Sequence, residues 1–240
     1  MQIGILGGTG PAGKALAARL ASVGFEVVIG SRSKYRAMEI RDQLQVKWKG
    51  RHLDIGASDN NGAAQCEIVV LATPWDGATE TAMSVAPRLD GKVVICMANA
   101  LARINGEFQP LVPPRGSVAA SVQASVPGCQ VAAALQHLPA KELGMIDHPI
   151  ESDVLICSDH LEAIECTAEI VRKIPGLRPL DAGSLSNATP IEAFTAVLLE
   201  LNVRYKTRAA LKINGIDGDG NLPGMPVTAA TIDKAEADGG

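Results

Sequence analysis

Short apolar runs rich in β-branched residues alternate along the chain with longer segments in which apolar residues recur at helical spacing. Strands that alternate with helices in this way are typical of a parallel sheet covered by helices on both faces. The pattern therefore predicts an α/β protein with a doubly wound, mostly parallel sheet. The predicted strands span residues 2–6, 26–30, 52–55, 67–72, 93–97, 117–121, 131–136 and 154–158.

A different pattern begins at Asn187, where the apolar residues follow the period of one long helix. Asn187 is a plausible N-cap and Pro190 falls in the first turn, so the helix should begin there. We expect it to run for about 25 residues and to end near Gly215, before a segment rich in Gly, Pro and Asp. The predicted units are a sheet domain over 1–182, a small C-terminal helical domain over 183–216 and a flexible tail over 217–240.

The composition is that of a folded globular protein, because 47% of the 240 residues are hydrophobic and 20% are charged. The net charge of −4 offers no general attraction to nucleic acid or to an anionic membrane. No apolar run is long enough to span a bilayer. We therefore expect neither nucleic acid nor a membrane as a partner.

Five widely spaced cysteines occur without any CxxC or Cys/His zinc pattern. An odd number of cysteines inside apolar runs favours free, buried thiols in a reducing compartment. The chain opens without the basic and apolar segments of an export signal. These observations predict a cytoplasmic protein with no metal site.

A glycine fingerprint follows the first predicted strand and opens the first predicted helix, the context in which GxGxxG binds a dinucleotide. Gly8 permits a tight turn, Gly10 lets the backbone approach a pyrophosphate, and Gly13 allows close packing of helix on strand. Pro11 suits the first helical turn, where its missing N–H removes no hydrogen bond. The predicted phosphate site comprises Gly8, Thr9, Gly10, Pro11, Ala12 and Gly13, and it makes the sheet domain Rossmann-type.

The end of the second predicted strand distinguishes NADP from NAD. An NAD site usually places an Asp or Glu there to bind the ribose hydroxyls. This chain has Ser31 and Arg32 instead, with Arg36 one helical turn further on. A hydroxyl and guanidinium groups suit a phosphate dianion, so NADP(H) is the predicted cofactor. A solvated basic start of a helix is the alternative interpretation.

Three further segments should border the ligand, because ligands of doubly wound sheets lie at the carboxyl ends of the strands. Thr73 and Pro74 close the fourth predicted strand, Ala98 and Asn99 follow the fifth, and His137 follows the seventh. Asn99 as a turn former is an equally good interpretation. His137 is either a site residue or a partner in a turn or the core.

The catalytic residues that the chain lacks limit the reactions that it could catalyse. The Tyr-x-x-x-Lys pair of short-chain dehydrogenases is absent, because Tyr35 and Tyr205 are followed four residues later by Glu39 and Ala209. No paired general acid and base can be assembled, so we assign no catalytic residue. Hydride transfer between two conjugated rings depends on stacking and distance, since the cofactors carry the chemistry.

Several motifs together resemble the NADPH-dependent reductases of coenzyme F-420, an 8-hydroxy-5-deazaflavin. The most specific is the sequence GLRPLDAG at residues 176–183, and the resemblance extends from residue 1 to about residue 214. The individual motifs that match lie at residues 5–14, 30–32, 73–75, Leu138-Pro139-Ala140, 176–187 and 191–195.

The resemblance implies an oxidoreductase that moves a hydride reversibly between NADP(H) and coenzyme F-420. It places Thr9, Ser31, Arg32 and Arg36 at the adenine-side phosphates. It also implies that Ala98, Leu138 and Thr195 border the two rings, beside Pro139 and Ala140. Relatives often have His at the position of Gln136, a departure that concerns the deazaflavin contacts.

Two other functions remain open at this stage. An imine reductase resembling pyrroline-5-carboxylate reductase would share the N-terminal fold but is expected to need a longer helical dimerisation domain. A non-catalytic NADP sensor would need no second substrate. The apolar C-terminal helix also predicts a homodimer.

Overall fold

The computed structural model, which describes residues 1–216, contains one eight-stranded sheet and a separate hairpin. The sheet order is β10-β9-β8-β5-β4-β1-β2-β3, and every neighbouring pair is parallel except β8 and β9. The strands are β1 (Gln2–Leu6), β2 (Glu26–Ser31), β3 (Ile55–Asp59), β4 (Ile68–Leu71), β5 (Val93–Cys96), β6 (Leu101–Ile104), β7 (Glu107–Pro110), β8 (Gln130–Ala133), β9 (Ser152–Ser158) and β10 (Leu177–Asp181). This order confirms the doubly wound, Rossmann-type fold.

Helices cover both faces of the sheet. They are α1 (Pro11–Ser22), α2 (Lys34–Lys47), α3 (Asn60–Ala63), α4 (Trp75–Ser84), α5 (Ala86–Leu89), α6 (Val118–Ser125), α7 (Ala140–Leu143), α8 (Leu161–Arg172) and α9 (Ala188–Tyr205), with a 3₁₀ turn at Leu185–Asn187. Side chains from α1, α2, α7 and α8 share one apolar core, and those from α3, α4 and α6 share the other. The first residue of α9 also joins the second core.

The period of two in each central strand explains the two cores. In β4, Ile68 and Val70 pack on one side of the sheet while Val69 and Leu71 pack on the other. Strands buried on both faces are continuous apolar runs for this reason. Each fully buried aliphatic side chain contributes about 1.5–3 kcal/mol of transfer free energy, so these strands supply much of the driving force for folding.

One predicted strand is wrong, because residues 117–121 begin helix α6. The Ser117 side chain caps this helix by accepting a hydrogen bond from the Ala120 amide at 3.0 Å. Val118 and Val122 then lie one turn apart on the buried face. Residues 117–121 are therefore an N-cap followed by the first turn of a helix with a buried apolar stripe.

Other strand boundaries also differ. The third strand is Ile55–Asp59 and not 52–55, because parallel pairing with β2 sets its register from Val27↔Ile55 to Ser31↔Asp59. The polar residues of this edge strand lack the apolar signature of a central strand. Strand β10 and the hairpin of β6 and β7 were not predicted.

The last helix is shorter than predicted. It ends at Tyr205, where Lys206 adopts a left-handed conformation with φ of 51°. The chain then passes beside β9: the Asp153 amide donates to the Leu211 carbonyl at 2.7 Å, and the Ile213 amide donates to the Asp153 carboxylate at 2.6 Å. Leu211 and Ile213 therefore belong to a segment packed on β9 and not to the helix. The tail predicted at 217–240 lies outside the described residues.

Candidate functional site

The glycine fingerprint forms a tight connection between β1 and α1. The Gly8 amide donates to the carbonyl of Gly30 in β2 at 2.9 Å, which ties the loop to the second strand. A Cβ added to Gly8 would lie 2.8 Å from the Ile5 carbonyl oxygen, and one added to Gly13 would lie 2.7 Å from the Gly8 Cα. Protein backbone therefore excludes side chains at Gly8 and Gly13.

Gly10 is different, because a Cβ there would meet only the Gly7 carbonyl oxygen, at an ordinary 3.7 Å. Its φ of −72° suits any residue. The protein itself does not require glycine here, and the open space could admit a ligand close to the backbone. No side chain caps the N-terminus of α1, which leaves its first amides available to an anion.

The end of β2 places a hydroxyl and two guanidinium groups beside this loop. Ser31 is buried and its Oγ accepts from the Ser33 amide at 3.3 Å. Arg32 is exposed and makes no hydrogen bond or ion pair within residues 1–216. Arg36 pairs with Glu39 on the surface of α2 at 2.5 Å. Of the two arginines, Arg32 is therefore the free guanidinium.

A carboxylate that the sequence did not reveal also lies here, since Asp59 is the register partner of Ser31. Its side chain accepts from the Gly62 amide at 2.7 Å and so caps helix α3. The neighbouring Asn60 accepts from the Gly7 amide at 3.3 Å. Asp59 is thus committed to a helix cap.

Thr73 and Pro74 lie at the carboxyl end of β4 and face the fingerprint. A Cβ added to Gly7, whose φ is +69°, would lie 2.6 Å from the Thr73 Cγ2. The Thr73 hydroxyl is buried and has no hydrogen-bond partner in the protein. A buried hydroxyl without a partner beside a dinucleotide loop suits a ligand that supplies one.

A chain of hydrogen bonds joins the ends of β5 and β8 to α9. The Asn99 Nδ2 donates to the Gln136 carbonyl at 2.7 Å, and the Thr195 hydroxyl donates to the Asn99 Oδ1 at 3.3 Å. Ala98 is buried beside them. The Gln136 side-chain amide is buried with both polar atoms unpaired. The structure therefore brings together Ala98, Asn99 and Thr195 as a polar and apolar wall.

Leu138, Pro139 and Ala140 lead from β8 into α7, and Leu138 is buried. A Cβ added to Gly144, just after α7, would lie 3.3 Å from the Ala15 Cβ, so α7 packs tightly on α1. The buried Arg19 of α1 reinforces this packing. Its guanidinium donates to the carbonyls of residues 142, 143, 145, 146 and 148 at 2.8–3.4 Å.

His137 faces the interior. It is 5% exposed, and its Nε2 lies 2.8 Å from the Asp153 carbonyl oxygen. A carbonyl can only accept, so Nε2 carries the proton. Burial lowers the pKa of His137, which keeps the ring neutral. This contact favours the structural alternative for His137 over direct contact with a ligand.

Glu192 is a buried acid that sequence reasoning missed. It is 5% exposed, and its two carboxylate oxygens accept from the amides of Val118 and Ala119 at 2.9 and 3.2 Å. Burial raises the pKa of Glu192 to about 7, and the two amide hydrogen bonds oppose that rise. Its helical spacing from Thr195 was the available signal, but its partners are more than 70 residues away in sequence.

All five cysteines are free, and burial raises the pKa of the Cys96 and Cys157 thiols to about 12. Such thiols are not nucleophiles near neutral pH. Within residues 1–216 no cluster of His, Cys, Asp and Glu could hold a metal ion. The same residues include no helix of the length and apolarity needed to cross a bilayer.

The doubly wound sheet, the glycine loop and the basic end of β2 define the class of NADP-binding oxidoreductases. Residues 2–100 match the family model "NADP oxidoreductase coenzyme F420-dependent". The chain belongs to the F420-dependent NADP reductase family, because a reductase of that name from Methanocaldococcus jannaschii is 34% identical over 213 residues, covering 87% of this chain and 95% of its relative.

A second relative of the same name, from Methanothermobacter marburgensis, is 35% identical over 227 residues, covering 88% of this chain and 96% of its own. The crystal structure of a candidate F420-dependent NADP reductase from an Arthrobacter species shares the fold, with a TM-score of 0.76 and 23% identity. It covers 89% of this chain and 99% of its own. These relatives confirm the predicted family. Membership of this family disfavours the two other functions, an imine reductase and a non-catalytic NADP sensor.

Proposed function

We propose that the protein transfers a hydride reversibly between NADP(H) and coenzyme F-420. The observation that carries this proposal is that one edge of the sheet holds two dissimilar sites. An uncapped glycine loop with a free Arg32 suits the phosphates of NADP, and a wall of Ala98, Asn99 and Thr195 follows at β5. The reductases from both methanogens carry names consistent with this pair of coenzymes.

The residues present fit a bound dinucleotide. The open space above Gly10 and the uncapped amides of Ala12 and Gly13 would hold the pyrophosphate, with Thr9 and Pro11 completing the loop. Ser31, Arg32 and Arg36 would bind the 2′-phosphate, although Arg36 must leave Glu39 to do so. Thr73 and Pro74 would then border the ribose at the end of β4.

Two conjugated rings, when bound, supply the hydride donor and acceptor, so the hydride step itself uses no acid or base of the protein. Its contribution is to hold and orient the rings and to exclude water. Ala98 and Leu138 are apolar, which would suit ring faces. Asn99 and Thr195 fix each other and so keep this wall in one arrangement. Pro139 and Ala140 connect the wall to α7.

Assembly, location and domain division are part of the same proposal. Helix α9 presents Phe194 and Val197, neighbours one turn apart, at 40 and 48% exposure, an apolar face that a second copy would cover in a homodimer. Five free thiols suit the cytoplasm. Residues 1–182 would bind NADP(H), and 183–216 would form the helical C-terminal domain.

The direct test is to mix purified protein with NADPH and oxidised coenzyme F-420 and to follow the visible absorbance of the deazaflavin. Bleaching with turnover supports the proposal and excludes a pure sensor. If micromolar enzyme causes no bleaching, the proposed hydride transfer to coenzyme F-420 is wrong. Incubation with NADPH and a cyclic imine in place of the deazaflavin, followed by the loss of NADPH absorbance, tests the imine reductase alternative.

A further inference from the structure

The acid Glu192 links helix α9 to helix α6, and the reaction proposed above leaves it without a role. Its carboxylate oxygens bind the amides of Val118 and Ala119, the first two residues of α6. The α9 N-terminus is close to the same region, since a Cβ added to Gly116 would lie 2.7 Å from the Thr189 Oγ1. The junction is therefore tight and specific.

Thr195 lies one helical turn after Glu192, on the same side of α9. Thr195 reaches Asn99 at the end of β5, and Asn99 reaches the Gln136 carbonyl after β8. A displacement of α9 relative to α6 would therefore move the Thr195 hydroxyl away from Asn99. The two contacts are coupled by a rigid helical turn.

We propose that Glu192 is a positioning residue that fixes α9 against α6 so that Thr195 and Asn99 form the ring-side wall of the deazaflavin site. The expected effect on coenzyme F-420 binding rests on the proposed hydride transfer, whereas the effect of Glu192 on the position of α9 does not. A carboxylate accepts at both oxygens, whereas a protonated acid accepts well at only one. Both amide hydrogen bonds, and with them the α9 position, are complete only in the ionised form.

The titratable groups around Glu192 do not change their charge near neutral pH, so the ionisation of Glu192 itself is what changes there. The thiols of Cys96 in β5 and Cys157 in β9 face it, and their pKa values of about 12 keep them neutral. Helix α6 and the 3₁₀ turn contain no titratable side chain. Glu200 is two turns further along α9 and binds the Phe108 amide.

The remaining charged groups near this junction are exposed or engaged elsewhere. Glu107 on β7 and Arg115 in the loop before α6 are exposed. The carboxylates of Asp159 and Asp181 accept from the amides of Leu185 and Gly183 near the 3₁₀ turn. The pKa of Glu192 is raised to about 7 by burial, so the proposed contact would change between pH 6 and pH 8.

The test needs two readouts on the full chain. In wild type, the side-chain amide resonances of Asn99, followed by ¹⁵N NMR, should titrate with a midpoint near pH 7. In Glu192→Gln they should be independent of pH, and the amides of Val118 and Ala119 should exchange faster. In turnover assays the variant should raise the Michaelis constant for coenzyme F-420 about fivefold or more while changing that for NADPH less than about twofold.

Two variants complete the design. Glu192→Asp keeps the charge with a shorter reach, so it should restore the pH dependence without full affinity. Glu200→Gln removes another carboxylate from the same helix, one that binds the Phe108 amide and not the amides of α6, so it should leave both coenzymes' Michaelis constants unchanged.

Asn99 resonances that do not titrate in wild type would overturn the inference without any variant. So would a Glu192→Gln enzyme with faster amide exchange but an unchanged Michaelis constant for coenzyme F-420. If the wild type never reduces coenzyme F-420, the proposed function fails, and the NMR measurement still decides the role of Glu192.

Discussion

The Thr195 hydroxyl donates a hydrogen bond to the Asn99 side-chain oxygen at 3.3 Å, across 96 residues of sequence. Asn99 lies at the end of β5 and Thr195 in the second turn of α9, so this bond joins the sheet to the C-terminal helix. The ring-side wall of the proposed site exists only because the two elements meet.

Substitution Thr195→Val should test this contact. Valine keeps the shape of the buried side chain but removes the hydroxyl, which leaves the Asn99 Oδ1 without its donor. We expect a loss of about 1 kcal/mol in the free energy of unfolding and a higher Michaelis constant for coenzyme F-420. Thr195→Ser, which retains the hydroxyl, is the matched control and should keep that Michaelis constant close to the wild-type value.

Substitution Arg32→Ala should discriminate between the two nicotinamide cofactors. Loss of a charge-assisted phosphate contact costs about 1.5–3 kcal/mol, so the Michaelis constant for NADPH should rise by at least an order of magnitude while that for NADH barely changes. Arg41→Ala, in helix α2, is the control, since its guanidinium pairs with Asp42. Equal effects on NADPH and NADH would refute the assignment of Arg32 to the 2′-phosphate.

The two glycines Gly10 and Gly13 should respond differently to alanine. Gly10→Ala meets no protein atom closer than 3.7 Å, so the melting temperature should stay near that of wild type while NADPH affinity falls. Gly13→Ala places a Cβ 2.7 Å from the Gly8 backbone, so both stability and affinity should fall. Thermal unfolding and fluorescence titration with NADPH measure the two effects. Normal NADPH affinity in Gly10→Ala would argue against a pyrophosphate at this loop.

The stability of wild type should depend on pH through Glu192. Its pKa is raised in the folded protein from 4.5 to about 7, so the folded state holds this proton more tightly than the unfolded state. Its contribution to the free energy of unfolding is therefore fully present below pH 4.5 and is lost as pH rises through about 7. Urea unfolding of wild type and Glu192→Gln should show this difference declining by about 2–3 kcal/mol. A difference constant from pH 5 to pH 8 would contradict a raised pKa.

Substitution Val197→Glu should test the homodimer. The residue is 48% exposed on the apolar face of α9, so a charge there costs the isolated chain little but would be buried at a symmetric interface. We expect light scattering to show a dimer for wild type and a monomer for the variant. Lys173→Glu, on the exposed end of α8, serves as the control. A monomeric wild type would exclude the dimer directly.

Features determined by neighbouring residues were predictable from the sequence. The central strands of the sheet could be predicted because each is a continuous apolar run that is buried on both faces. The glycine loop could be predicted because its turn involves only neighbouring residues. The proposed roles of Ser31 and Arg32 could be predicted because both residues lie at the end of the second strand. Residues 117–121 were misassigned because a serine cap followed by valines one turn apart resembles a strand until the Ser117 side chain is seen to bind the Ala120 amide.

The sequence by itself therefore determined the fold class and the family and predicted the NADP end of the site, because each depends on periodicity or on a contiguous motif. The tertiary structure alone decided that helix α9 ends at Tyr205, that His137 turns inward, and that Asn99, Thr195 and Glu192 belong together. These outcomes depend on partners far apart in the chain, and no local pattern encodes which distant backbone group a side chain will meet.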